Sequence, residues 1–274
     1  MKTFATLAFL IATALGSHFA LAQSQTGAAT PDEISTPPRG AAPTTAAKGG
    51  PAGPHDWDYW YTVTVSKNVP YEYYHETIET KEGRLVYKLH AWKKEEDFIN
   101  EEQLGAFAQA ADLAPLFFNF HATYRGTEKT VDGNIQGANS QSGGVLVVKS
   151  SEGGATGGAG EKPLIRVSVP KQGFLSSFFP LWLARQGQNF KSGRALPFSS
   201  ILEDGGDDPN APFATAAGNV KPLDAHRFEV NFRNQKSIWS FDAQGAPTRI
   251  EMPASHAIVE RVTESTALKF FGKK

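Results

Sequence analysis

The 274-residue chain contains no cysteine. That excludes a disulfide framework, a thiolate metal site and a cysteine nucleophile. It also removes the residue on which a bacterial lipoprotein carries its lipid. Neither sign of charge is in excess: Lys plus Arg is 27, Asp plus Glu is 28 and the net charge is −1. Phosphate binding needs a positive field, so no nucleic-acid partner is expected. Long apolar runs are missing too. The run Phe4–Leu15 falls short of the roughly 20 residues that a spanning helix requires.

Several signatures of chemistry are also absent. There is no Gly-x-Ser-x-Gly elbow and no His-Glu-x-x-His. The glycine-rich segment Ser150–Gly160 lacks the Gly-Lys-Ser/Thr ending of a phosphate loop. His55, His75, His90, His121, His226 and His256 are scattered, with no metal-ligand spacing. No cofactor, no metal and no catalytic residue is predicted. The acidic stretch Glu203–Asn210 has oxygen ligands for calcium but not the Asp-x-Asp-x-Asp-Gly spacing, and a solvated loop is the preferred reading.

What is present begins with an address. Lys2 supplies a positive start, Phe4–Leu15 an apolar core, and Ala20-Leu21-Ala22 a small-x-small cleavage pattern. Residues 1–22 therefore read as a secretory signal peptide, and the mature protein as periplasmic or secreted. Residues 23–54 are rich in Ala, Thr, Gly and Pro, with Ile34 the lone large aliphatic residue. Such a segment buries too little surface to offset the entropy of ordering, so a disordered linker is expected. Residues 55–274 then form a single β-rich domain.

Within that domain the dominant signal is a period of two. Trp57, Tyr59, Tyr61, Val63 and Val65 share one face of a strand, with Trp60 the exception. Glu72–Thr80 and Arg84–Trp92 form a hairpin through Glu82-Gly83, the latter strand aligning Leu85, Tyr87, Leu89 and Ala91. Further strands are predicted at Leu116–Arg125, Glu128–Gln136, Gly144–Lys149, Leu164–Val169, Leu196–Leu202, His226–Arg233, Lys236–Asp242, Thr248–Met252 and Ala257–Thr263. Two helices are predicted. Asn100–Gln103 has capping-box spacing, with Ile99 and Leu104 as a staple, which places one at Glu101–Ala111. Pro180 suits a first turn, which places the other at Phe179–Gln186, ended by Gly187. The predicted fold is mainly β: a large curved antiparallel sheet or half-barrel with two short helices covering or plugging its concave side.

Two runs look familiar. Tyr61-Thr62-Val63-Thr64-Val65 leads into a Tyr71–Thr77 strand, and Trp239–Ile250 carries a strand ending in Asp242, a turn at Gly245 and a second strand after Pro247. This ordering resembles uncharacterised bacterial periplasmic proteins of antiparallel half-barrel type, similar in architecture to periplasmic lipoprotein carriers. The resemblance implies a fold and a compartment but no catalytic residues. The long linker and the apolar Phe174–Leu183 segment depart from it.

Nineteen Phe, seven Tyr and five Trp are first of all core material. A curved sheet with an aromatic inner face also encloses apolar ligands in some barrels. On that reasoning the ligand-binding candidates are Phe118, Phe120 and Tyr124 on one strand face, with Phe178 and Trp182 from the apolar segment. His121 and Arg125 lie on the opposite face of the same strand, with Asn119 and Thr123. That face is a polar stripe in a cleft if concave and ordinary solvated surface if convex, and the second is preferred. Three functions follow: a non-enzymatic carrier of an apolar small molecule or lipid, an interaction module with a protein partner in an envelope assembly, and, ranked last, a hydrolase. No transmembrane segment is expected once the signal is removed.

Overall fold

A computed structural model describes residues 56–65, 69–95, 98–138, 142–154, 160–186, 194–205, 212–233 and 235–269. The signal peptide, the linker and Gly187 lie outside the described residues. Sixteen strands form one sheet. In chain order they are β1 (Trp57–Val65), β2 (Val69–Lys81), β3 (Arg84–Glu95), β4 (Phe98–Gln109), β5 (Pro115–Tyr124), β6 (Thr127–Gln136), β7 (Gly144–Gly154) and β8 (Gly160–Glu161). There follow β9 (Ile165–Val169), β10 (Phe174–Leu175), β11 (Leu196–Ile201), β12 (Ala216–Pro222), β13 (Arg227–Phe232), β14 (Gln235–Phe241), β15 (Pro247–Met252) and β16 (Ala257–Val262).

Neighbouring strands pair antiparallel, except that β10 runs parallel to β11. The chain closes the order by pairing β1 with β16. One edge of the sheet is β10, and the other is formed by β8 and β9, both on β7. Val169 ends β9 and Phe174 begins β10, so about five steps of chain link the two edges, a span of at most roughly 18 Å. The sheet therefore curls strongly on itself without closing into a hydrogen-bonded ring.

Tight turns set the register. Glu82 and Gly83 have φ of 50° and 75°, as do Arg125 and Gly126 at 48° and 80°. Both pairs have the left-handed backbone of the two-residue hairpin turn that matches strand twist. Register then lines side chains into rows across the concave side. Ile78, Tyr87, Ala106, Phe118, Gly133 and Val148 are successive cross-strand partners from β2 to β7. Gly133 is required there, because a Cβ on it would sit 2.0 Å from the Phe118 ring.

Phe174–Arg185 fills the concave side. A 3₁₀ turn at Ser176–Phe178 runs into helix α1 (Phe179–Arg185), with Pro180 in its first turn. Phe174, Leu175, Phe178, Phe179, Leu181 and Leu183 are all buried. The Phe178 ring meets Tyr87 edge-on at 5.9 Å, and Phe179 meets Trp239 at 5.0 Å. Arg185 donates to the carbonyls of Ala110 and Ala111 (2.7 and 3.1 Å), which fastens the far end. The apolar segment is thus a plug, as expected of one of the two helices.

The other helix is a correction. Glu101–Ala111 is not helical: it lies in β4 and the turn after it. Leu104, Ala106 and Ala108 face the core at a spacing of two, not of three or four. The supposed cap residue does other work, since Asn100 Oδ1 accepts from the Arg125 backbone N–H across the sheet. Twelve ladder pairs with β3 override the local capping signal. The second helix is α2 (Glu264–Lys269), capped by Thr263 Oγ1, which accepts from the Thr266 backbone N–H at 3.3 Å. It covers Trp60, Tyr73 and Trp92 on the convex side through Ala267. That explains why Trp60 broke the alternation of its strand. Among the described residues, no helix is long and apolar enough to cross a membrane.

Candidate functional site

The rows of the concave side change character along the strands. The row through Phe118 is apolar. The next is Glu76, Leu89, Leu104, Phe120, Val131 and Ser150. The third is Tyr74, Ala91, Glu102, Ala122, Lys129 and Glu152, and the last is Glu72, Lys93 and Asn100. The interior is amphipathic along its length, apolar at one end and rich in carboxyls and lysines at the other.

The predicted site residues divide among these zones. Phe118, Phe120 and Phe178 are fully buried in the central apolar cluster. Trp182 packs on that cluster from the plug, its ring stacked 5.4 Å from Phe174. Tyr124 and Arg125 sit at the polar end. The Tyr124 hydroxyl donates to Glu95 Oε2 at 2.6 Å, and Arg125 lies 5.6 Å from the Phe98 ring centroid. Glu95 also accepts from the Tyr71 hydroxyl at 3.0 Å and pairs with Lys93 at 3.2 Å. Partial burial pushes the Glu95 carboxyl up, but the Tyr124 hydroxyl and Lys93 more than offset that and hold it below the usual range. His121 lies on the convex face, paired in register with Gln103 and Thr130. The candidates are therefore not one constellation.

Two of the convex histidines have carboxylate partners: His75 Nε2 to Asp58 (2.6 Å) and His90 Nε2 to Glu101 (2.5 Å). Their rings stack on Trp60 and lean on Trp92, at 4.4 and 3.7 Å. This is a ladder on the outside of the sheet. Among the described residues, no group of three or more His, Asp or Glu is placed to hold a metal ion.

The residues that sequence reasoning undervalued are the buried carboxyls. Glu72 and Glu203 are 0% exposed, Glu76 4% and Asp204 2%. Glu203 and Asp204 belong to the stretch expected to be a solvated loop. That reading is overturned for these two, while 206–211 lie outside the described residues. Glu203 accepts from Ser176 Oγ (2.6 Å) and from the Ser177 backbone N–H (3.1 Å), so it caps the start of the plug. Burial pushes Glu203 up to about 6 and both Glu72 and Glu76 up to about 8. Burial, with Glu72 nearby, raises Glu102 as well.

Between plug and sheet lies a cavity of about 10 Å³, room for one water-sized group. Tyr61, Tyr74, Glu76, Ser176, Ser177 and Trp239 line it, with Pro180 and Pro247 at its margins. Tyr87 donates to Glu76 Oε2 at 3.2 Å, and Tyr61 donates to the Pro247 carbonyl at 3.1 Å. Tyr61 stacks on Tyr74 at 4.9 Å. Three polar atoms at the cavity lack a hydrogen-bond partner: Tyr74 OH, Glu76 Oε1 and Ser177 Oγ. Trp57 Nε1 approaches Glu76, and Ser177 Oγ approaches Glu203, close enough to favour the carboxylates but short of hydrogen-bond geometry. Buried polar groups are normally satisfied, so unsatisfied ones around a cavity mark a place for a polar guest.

No family model matches this chain. No curated protein matches it either. Two solved structures are similar. One is a DUF1089 family protein from Pseudomonas aeruginosa, at 14% identity and a TM-score of 0.37, covering 66% of this chain and 90% of that one. The other is a β-barrel-like protein of the domain of unknown function DUF1849 from Brucella abortus, at 9% identity and a TM-score of 0.45, covering 74% and 93%. These values carry neither a ligand nor a role to this chain. What stands is the fold itself, one curved, unclosed sheet around a plug.

Proposed function

We propose that this protein is an exported, non-enzymatic binding protein that holds an amphipathic molecule inside its half-barrel. The observation that carries the reading is the amphipathic interior. Apolar rows around Phe118 and Phe120 suit a hydrocarbon part, and the rows bearing Glu72, Glu76, Glu102 and Lys129 suit a polar head. In this reading the Phe174–Arg185 plug opens to admit the ligand and closes again over it. Residues 1–22 supply the export signal, and the compartment is the periplasm or the exterior. The kinship with lipoprotein carriers is one of architecture and purpose, not of catalysis.

Native mass spectrometry of the protein purified from its own host tests this. The expected result is a bound species of lipid-like mass that is lost on mild activation. A clean apo mass from several gentle preparations contradicts it.

A second reading is an interaction module of an envelope assembly. It draws on exposed apolar residues near the β7–β9 edge, Val145 and Leu164, the latter 63% exposed. Co-purification of a stoichiometric protein partner in place of a small molecule favours it.

A further inference from the structure

Tyr74 OH, Glu76 Oε1 and Ser177 Oγ border a cavity for one small group, and all three have lone pairs that can accept a hydrogen bond, the two hydroxyls being donors as well. Among the described residues, no lysine, arginine or histidine lines it. Two buried carboxyls stand at its margins, Glu76 in the wall and Glu203 behind Ser176 and Ser177. Its other walls include the aromatic residues Tyr61, Tyr74 and Trp239. Arg261, the cation that acts on Tyr61, is already committed to Asp242 at 2.7 Å and to the Tyr59 ring at 4.3 Å.

We propose that this cavity binds a protonated primary amine, the head of the amphipathic ligand, with Glu76 as its counter-ion. The inference rests on the binding function proposed above. An –NH₃⁺ group has the size of a water molecule and three N–H donors, one for each acceptor that lacks a partner. A neutral hydroxyl head brings no charge to balance the Glu76 carboxylate. A carboxylate head places another acid beside two buried carboxyls, and its charge keeps Glu76 from ionising. Burial raises Glu76 to about 8, more than Tyr87 and Trp57 lower it, which favours the protonated acid in the free protein near pH 7. The arriving ammonium favours the carboxylate, so binding releases the Glu76 proton to solvent. Tyr61, Tyr74 and Tyr87 stay protonated throughout, since burial and Glu76 raise all three.

The test is isothermal titration at pH 7 with octylamine, octanol, octanoate and ammonium chloride, each in two buffers of different ionisation heat. Octylamine is expected to bind at least tenfold more tightly than octanol or octanoate and to release close to one proton. Glu76→Gln keeps the shape of the protonated acid and its contact with Tyr87, and is expected to abolish proton release and the preference for amine. Tyr74→Phe is expected to weaken octylamine several-fold while leaving the fold intact by circular dichroism. Equal binding of all three octyl probes overturns the amine site and leaves the carrier function standing. Proton release with ammonium chloride alone, and no gain from the octyl chain, supports the amine site and sinks the carrier function. No binding of any probe overturns both.

Discussion

Replacing Phe179 by alanine will lower the unfolding free energy by about 3–5 kcal/mol, the range for truncating a buried aromatic residue. Phe179 is 2% exposed. Its ring packs 5.0 Å from Phe198, 5.0 Å edge-on from Trp239 and 5.9 Å from Trp182. Those contacts join the plug to β11 and β14, on the half of the sheet opposite Phe118. The rings of Phe198 and Trp239 are held by the sheet, which limits how far they can move in to fill the space. Urea unfolding followed by tryptophan fluorescence measures the loss. Trp182→Ala, at a partly buried site, serves as a comparison and should cost less. A loss below about 1 kcal/mol for Phe179→Ala would mean that the plug does not dock against β14 in solution.

Glu76→Gln will change how stability depends on pH. Burial lifts the folded-state value of Glu76 to about 8, against an unfolded value near 4.5. The folded state therefore binds more protons than the unfolded state between those limits. Stability from this group is complete below pH 4.5 and is lost as pH rises through 8. Glutamine removes that slope. The variant should match the parent near pH 4.5 and exceed it by on the order of 1–3 kcal/mol near pH 7.5. Chemical denaturation at several pH values gives the comparison, and parallel pH profiles would sink the assignment of a buried, protonated Glu76. Glu72, also raised to about 8 by burial, keeps part of the parent's slope in the variant. If the gain appears together with loss of amine binding, the parent carries an unfavourable buried acid because the ligand needs it.

Most of the sheet was legible because one face of each strand is apolar. Leu85, Tyr87, Leu89 and Ala91 announce β3 by alternation alone, and Glu82-Gly83 announces its turn. β4 was not legible, because Asn100–Gln103 carries local helix-start chemistry that only the pairing with β3 and β5 overrides. β12 was missed, its Ala-Ala-Gly-Asn sequence being a poor strand signal that owes its place to β11 and β13. The plug was legible through Pro180 and its run of large apolar residues.

The site was less visible. Phe118 and Phe120 were readable as inward-facing, but the same periodicity that places Tyr74 and Ile78 inside also places Glu72 and Glu76 inside. A glutamate at an inward position looks like an interruption of the pattern until the register shows it facing other buried polar groups. Glu203 gave no local signal at all, since its partners Ser176 and Ser177 lie 27 and 26 residues away.

The absence of cysteine allows a direct test of the cavity as the binding place. Ser177→Cys puts a single thiol at its wall, at a position 5% exposed. In the free protein a small thiol reagent should modify it slowly, at the rate at which the plug opens. Saturating octylamine should slow that modification at least tenfold, because the amine occupies the cavity and holds the plug in place. A modification rate unchanged by octylamine, measured where titration shows binding, would contradict the account and put the ligand elsewhere on the molecule.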